Sequence, residues 1–133
     1  MPYFTWDDKY SIGNKEIDDQ HKHIFNNLNR LYESSYDTQG SDTFHNVLAE
    51  LCSYTKYHFK IEEQFMAEVE YNDIERHLSF HRYFTARLLD FTDREKNYNS
   101  ELCRELILFL KNWLKRHVYE EDKQIVHNSK LSF

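Results

Sequence analysis

Two glycines and one proline are all the punctuation that 133 residues carry. Hairpins and tight turns depend on such residues for positive or fixed φ, so a protein of many short strands is excluded and a few long elements are expected. The length suits one domain, in which a single core buries roughly two-thirds of the unfolded surface. Apolar bulk is ample, because 2 Trp, 10 Tyr and 10 Phe make the chain 17% aromatic. Disorder is thereby excluded.

Hydrophobic periodicity of 3.6 residues divides the chain into four predicted helices. The first runs over about 15–36 behind an Asn14 cap, with Ile17, His21, Ile24, Leu28 and Leu31 along one stripe. A polar break at Asp37–Ser41 precedes the second, over about 42–67. Here Phe44, Leu51, His58 and Phe65 recur every seven residues beside Leu48, Thr55 and Glu62. The third starts from an Asn72 cap, with Glu75 completing a capping box, and carries Ile74, His77, His81, Phe84, Leu88 and Phe91. After a turn at 97–100, the fourth shows Leu102, Leu106, Leu110, Trp113 and His117 on one face. Long helices joined by short connections pack as antiparallel neighbours. The expected fold is all-α, an up-down-up-down antiparallel four-helix bundle. Residues 1–13, with Tyr3, Phe4 and Trp6, form an extended N-terminal arm, the bundle spans about 15–122, and a short tail completes the single domain 1–133.

Charge and cysteine usage narrow the function. Seventeen Lys and Arg against 23 Asp and Glu give a net charge of −6, which disfavours nucleic acid and anionic lipid as partners. Cys52 and Cys103 form no C-x-x-C and read as small buried hydrophobes. No apolar run is long enough for a membrane span, and the first ten residues lack a signal-peptide pattern, so a cytoplasmic location is expected.

Histidine is the anomaly: there are eight, and every helical stripe contains at least one. Burying a polar group without a partner costs on the order of 1–3 kcal/mol, so an apolar seam carrying five imidazoles and a carboxylate needs compensation. His58 and Glu62, like His77 and His81, stand i to i+4, which aims both members of each pair at one point. His21 and His117 face inward on their stripes, whereas His23 lies about 200° round from His21 and is expected in solvent. His45 and His127 fit no converging stripe. Convergence of His21, His58, Glu62, His77, His81 and His117 points to a metal site. Asp122 fits less simply, because five residues from His117 is about 140° on a straight α-helix. A π-bulge near Val118–Glu120 would swing it inward.

These residues resemble a known family. His58-Phe-Lys-Ile-Glu62, His77-Leu-Ser-Phe-His81, Trp113-Leu-Lys-Arg-His117 running on to Asp122, and Ile17-Asp-Asp-Gln-His21, with Trp6-Asp and Tyr10-Ser-Ile-Gly13 ahead of them, are similar to the hemerythrins, most of all the bacterial ones. The resemblance implies a non-haem di-iron cofactor with His77, His81 and His117 on one iron, His21 and His58 on the other, and Glu62 and Asp122 bridging. With a hydroxide bridge, one coordination position is left open, on the iron of His21 and His58. It implies reversible O2 binding there, the ligand held as hydroperoxide, with NO and small anions as further ligands. Ile24, Phe59 and Trp113 are the candidate lining of a dry O2 pocket. The family's common Asp-x-x-Tyr ending is not kept, since Ile125 stands three residues after Asp122.

The expectation is therefore an oxygen carrier, store or delivery protein, not an enzyme, acting as a monomer or small homo-oligomer. Alternatives on the same bundle are an O2, redox or NO sensor, a di-iron oxidase or peroxidase, and an iron-handling protein. Carboxylate-rich di-iron enzymes use a Glu-x-x-His pair on each of two helices, a motif absent here. His77-Leu-Ser-Phe-His81 lacks the glutamate of the H-E-x-x-H metalloproteases.

Overall fold

A computed structural model describes residues 4–35, 40–121 and 124–125, with side chains of 118–121 excepted. Its long elements are α1 (Lys15–Ser34), α2 (Gly40–Glu68), α3 (Ile74–Arg94) and α4 (Ser100–Trp113), and α4 runs on as a π-helix over Leu114–Glu121. Among the described residues there is no strand, and the helices form the expected four-helix bundle. The irregularity expected near Val118–Glu120 is thus longer than a single bulge and starts before His117. Asp122 itself, like His127 and Tyr3, lies outside the described residues.

Helix ends follow local chemistry. Asn14 caps α1, its side chain accepting from Ile17 N at 3.1 Å, and Asn99 caps α4 through Leu102 N at 2.7 Å. α3 departs from expectation: its cap is Asp73, not Asn72, and no side chain bonds the helix end there. The cause lies in the preceding turn. Tyr71 N donates to Met66 O and Glu70 N to Ala67 O, a Schellman closure of α2 with Glu70 in the left-handed region at φ 53°. That closure fixes the chain direction through residue 71 and leaves position 73 as the entry to α3. α2 begins at Gly40, earlier than its polar break suggests, because the helix end sits against a neighbour. A Cβ on Gly40 would meet Ser34 O at 2.8 Å and the Tyr98 hydroxyl at 3.0 Å.

One half of the bundle is predominantly apolar. Leu28, Leu31, Phe44, Leu51, Phe84, Phe91, Leu106 and Leu110 are fully buried in one cluster. The N-terminal segment extends along this body except for one 3₁₀ turn at Asp8–Tyr10. Phe4 exchanges two hydrogen bonds of 2.7 Å with the Asn29 side chain, and the rings of Phe4, Trp6 and Tyr10 gather around Phe25 at 4.7, 5.4 and 5.4 Å. Ile12 N donates to Asp18 at 3.0 Å, and Gly13, at φ +81°, turns the segment into α1. Cys103 is buried as expected, while Cys52 is only half-buried, on the α2 face turned to α3.

Candidate metal centre

The other half of the bundle carries the polar residues. His21 on α1, His58 and Glu62 on α2, His77 and His81 on α3, and His117 in the π-helix are all buried. Glu62 is the centre of the arrangement. Its Oε1 faces Nε2 of His77 at 2.7 Å, of His81 at 2.9 Å and of His117 at 3.2 Å. Its Oε2 faces Nε2 of His58 at 3.5 Å and of His21 at 3.6 Å. The two oxygens thus divide the imidazoles into a group of three and a group of two. In each group one ligand atom per residue lies within 4.8 Å of the others, close enough to hold a metal ion.

Rings behind these contacts are oriented by further partners. Gln20 Oε1 lies 2.6 Å from His58 Nδ1, and both residues are buried. An amide oxygen can only accept, so Nδ1 carries the hydrogen and Nε2 keeps its lone pair toward Glu62. Glu63 holds the other side of His81, with Oε2 at 3.2 Å from Nδ1. Phe59 stacks on His81 at 3.9 Å and 8°, and Trp113 on His117 at 4.3 Å and 13°. These aromatic planes fix two imidazoles of the group of three.

Of the three candidate pocket residues, Phe59 and Trp113 therefore stand against the group of three, 5.9 Å apart, and Phe59 also approaches His58 at 5.6 Å. Ile24 is fully buried in the same apolar cluster, three residues along α1 from His21. His23 is exposed against the Tyr54 ring, and His45 pairs with Glu95 at 3.1 Å, so neither joins the site. Sequence reasoning missed Gln20 and Glu63. Gln20 could have been found, because it falls on the α1 stripe between Ile17 and Ile24 at spacings of three and four.

Electrostatics test whether a cation fits. Burial pushes the Glu62 carboxyl up, but the surrounding imidazoles, His117 foremost, hold it well below the usual range. The group is an anion in the core, and a buried anion needs a positive partner. Its Oε2 makes no hydrogen bond among the described residues, and 3.5–3.6 Å to two imidazole nitrogens is too long for one. Imidazole nitrogens and a shared carboxylate are donors suited to iron, zinc or copper. The residues present fit a transition-metal centre.

Comparisons with known proteins agree. Residues 13–127 match the family model described as the hemerythrin HHE cation binding domain. The chain is 27% identical to a bacteriohemerythrin of Clostridium acetobutylicum, over 92% of this chain and 98% of that one. It is 31% identical to a hemerythrin-like protein of Naegleria gruberi, over 90% and 87%. A crystal structure of wild-type hemerythrin superposes with a TM-score of 0.77 at 27% identity, covering 91% of this chain and 93% of that one. With imidazoles from all four helical segments gathered on one buried carboxylate and the family model spanning the whole bundle, the chain belongs to the hemerythrin HHE cation-binding family.

Proposed function

We propose that this chain is a single-domain oxygen-binding protein that takes up O2 reversibly at a non-haem di-iron centre. His77, His81 and His117 would hold one iron, His21 and His58 the other, with Glu62 and Asp122 bridging. The observation that carries this reading is the division of five imidazoles between the two oxygens of Glu62, three at 2.7–3.2 Å and two at 3.5–3.6 Å. A carboxylate flanked in this way is placed to bridge two cations of unequal imidazole count. Asp122 lies outside the described residues; its inclusion rests on the motif, and the π-helix over Leu114–Glu121, with its wider i to i+5 repeat, supports a ligand spacing of five.

When bound, the irons supply the redox chemistry and the open ligand position that O2 uptake requires. The chain's own residues make the uptake reversible. Gln20 and Glu63 lock the tautomers of His58 and His81, keeping Nε2 of each available as a ligand. Phe59, Trp113 and Ile24 make the surroundings apolar, and without water or an outside proton donor the ligand can leave as it came. The imidazole-rich donor set and the missing Glu-x-x-His pairs support holding O2 over activating it. Carriage or storage follows from the site, within a cytoplasmic protein.

The test is an anaerobic iron assay followed by cycles of air and argon, with the charge-transfer absorption recorded. Two irons per chain and a band that appears and vanishes over repeated cycles are expected. One iron or none, or steady O2 consumption with release of a reduced product, would overturn the reading.

A further inference from the structure

A cleft of about 810 Å³ opens between α2 and α3 on the outer side of the Phe59 and His81 stack. Its size is that of a small-molecule site. Its floor is apolar, built from Phe59, Leu78 and Leu88, and Leu89 at its edge is 60% exposed and adds apolar surface to the rim. Lys56 and Lys60 stand one helical turn apart on the α2 wall, and Arg82 stands on the α3 wall. None of the three cations forms an ion pair or hydrogen bond among the described residues. The single acid in the lining, Glu63, already bonds His81.

Charge in the cleft thus opposes that of the molecule. A chain of net charge −6 keeps three unpaired cations on the two walls of one apolar groove. Arg30, Arg94 and Lys15 pair with carboxylates at the surface, whereas among the described residues the three cations of the cleft do not. Separated across an apolar floor, cations complement a ligand that has a hydrophobic body and an anionic head. From Cys52 to Glu63 the α2 wall is about 16 Å long at 1.5 Å per residue, room for a medium-length hydrocarbon chain.

We infer that the α2–α3 cleft is a binding site for an amphiphilic carboxylate, whose apolar tail lies over Phe59 and Leu89 and whose head is held between Lys56, Lys60 and Arg82. The ligand would cover the outer face of the Phe59 ring, whose inner face stacks on His81. The cleft shares Phe59 and His81 with the candidate metal centre, but the cations that would hold the head, Lys56, Lys60 and Arg82, and the exposed Leu89 belong to the cleft alone.

Decanoate is the probe, titrated calorimetrically below its micelle concentration into the full chain carrying its metal, at low ionic strength, with decanol and decylammonium as controls. Decanoate is expected to bind, and each control to bind at least about tenfold more weakly, the weight of one charge interaction at about 5 Å in a half-solvated dielectric. Lys60→Glu and Arg82→Glu, both at exposed positions, should each weaken decanoate about tenfold, Leu89→Glu should weaken it too, and added salt should do the same. Lys115→Glu, exposed and outside the cleft, should change nothing. Equal binding of decanol, charge reversals without effect, or no binding of decanoate at millimolar concentration would overturn the proposal. Because heat is the readout, a protein that fails to bind O2 can still pass this test, and one that binds O2 can fail it.

Discussion

Replacing Gln20 with Leu should weaken iron binding while leaving the fold intact, and the size of the effect can be worked from one hydrogen bond. His58 Nδ1 lies 2.6 Å from Gln20 Oε1, with both side chains buried. Leucine has similar bulk but no acceptor, so the Nδ1–H would face hydrocarbon at a cost of about 1–3 kcal/mol. The imidazole can escape that cost by moving its hydrogen to Nε2, the nitrogen that faces Glu62 at 3.5 Å. Moving it blocks the lone pair a metal needs. Whichever tautomer is adopted, ligation by His58 carries the penalty, and a loss of about 10- to 100-fold in affinity follows, the range seen for lost partners of ligand histidines. Competition between the protein and a ferrous chelator under anaerobic conditions measures it, with circular dichroism as the check on the fold. Gln20→Glu keeps an acceptor at the same reach and should retain tight binding. Affinity within about twofold of the parent in Gln20→Leu would refute the claim that this bond selects the ligating tautomer.

Four further outcomes are expected. His77→Ala removes one of the three imidazoles on Glu62 Oε1 and should lower iron content and abolish the oxygenated spectrum, whereas two irons and normal O2 uptake would remove His77 from the ligand set. Ile24→Thr keeps the β-branch but removes one methyl and puts a hydroxyl at a fully buried position, so it should cost about 2–4 kcal/mol and hasten autoxidation; an unchanged decay of the oxygenated band in air would count against Ile24 as pocket lining. Gly40→Ala drives a Cβ to 2.8 Å from Ser34 O, and denaturant unfolding should report a loss of about 1–3 kcal/mol despite alanine's better helix propensity. Glu70→Gly relieves a left-handed residue at φ 53° and should raise stability by up to about 1 kcal/mol in the same assay; a loss would mean that the Glu70 side chain makes a contact worth more than the strain.

The helical stripes were legible because burial in a bundle is a one-dimensional property: Ile17, His21, Ile24, Leu28 and Leu31 follow the 3.6-residue period, and all five are buried. Asn14 was legible as a cap for the same local reason. What failed depended on chain reversal. Asn72 and Glu75 have the residue types of a capping box, yet the Schellman closure places Glu70 where glycine usually stands, and nothing local announces that. Gly40 was read as part of a break because its reason for being glycine, the approach of Ser34 O across the α1–α2 connection and of Tyr98 from far along the chain, appears only once the helices pack. At the site, the periodicity marked the inward imidazoles, but the Gln20 to His58 bond spans 38 positions and the Glu63 to His81 bond 18. Partners of that kind emerge only from packing.

The bundle is divided along its length, and the division explains how it tolerates six ionisable groups in its interior. At one end the stripes continue as Leu28, Leu31, Phe44, Leu48, Leu51, Phe91, Leu106 and Leu110, each fully or almost fully buried. Each such side chain contributes about 1.5–3 kcal/mol of transfer free energy. At the other end the same stripes switch to His21, His58, Glu62, His77, His81 and His117, for which burial opposes folding unless charge is balanced. The apolar end holds the helices in register without the polar end, and the aromatic N-terminal segment around Phe25 adds to that hold. The polar end can then be arranged by chemistry and not by packing economy. Among the described residues the helical repeat changes from α to π only there, over Leu114–Glu121, the stretch that carries the buried His117. A straight α4 would keep the apolar end packed, so the π-helix belongs with the polar end of the bundle and not with the fold as such.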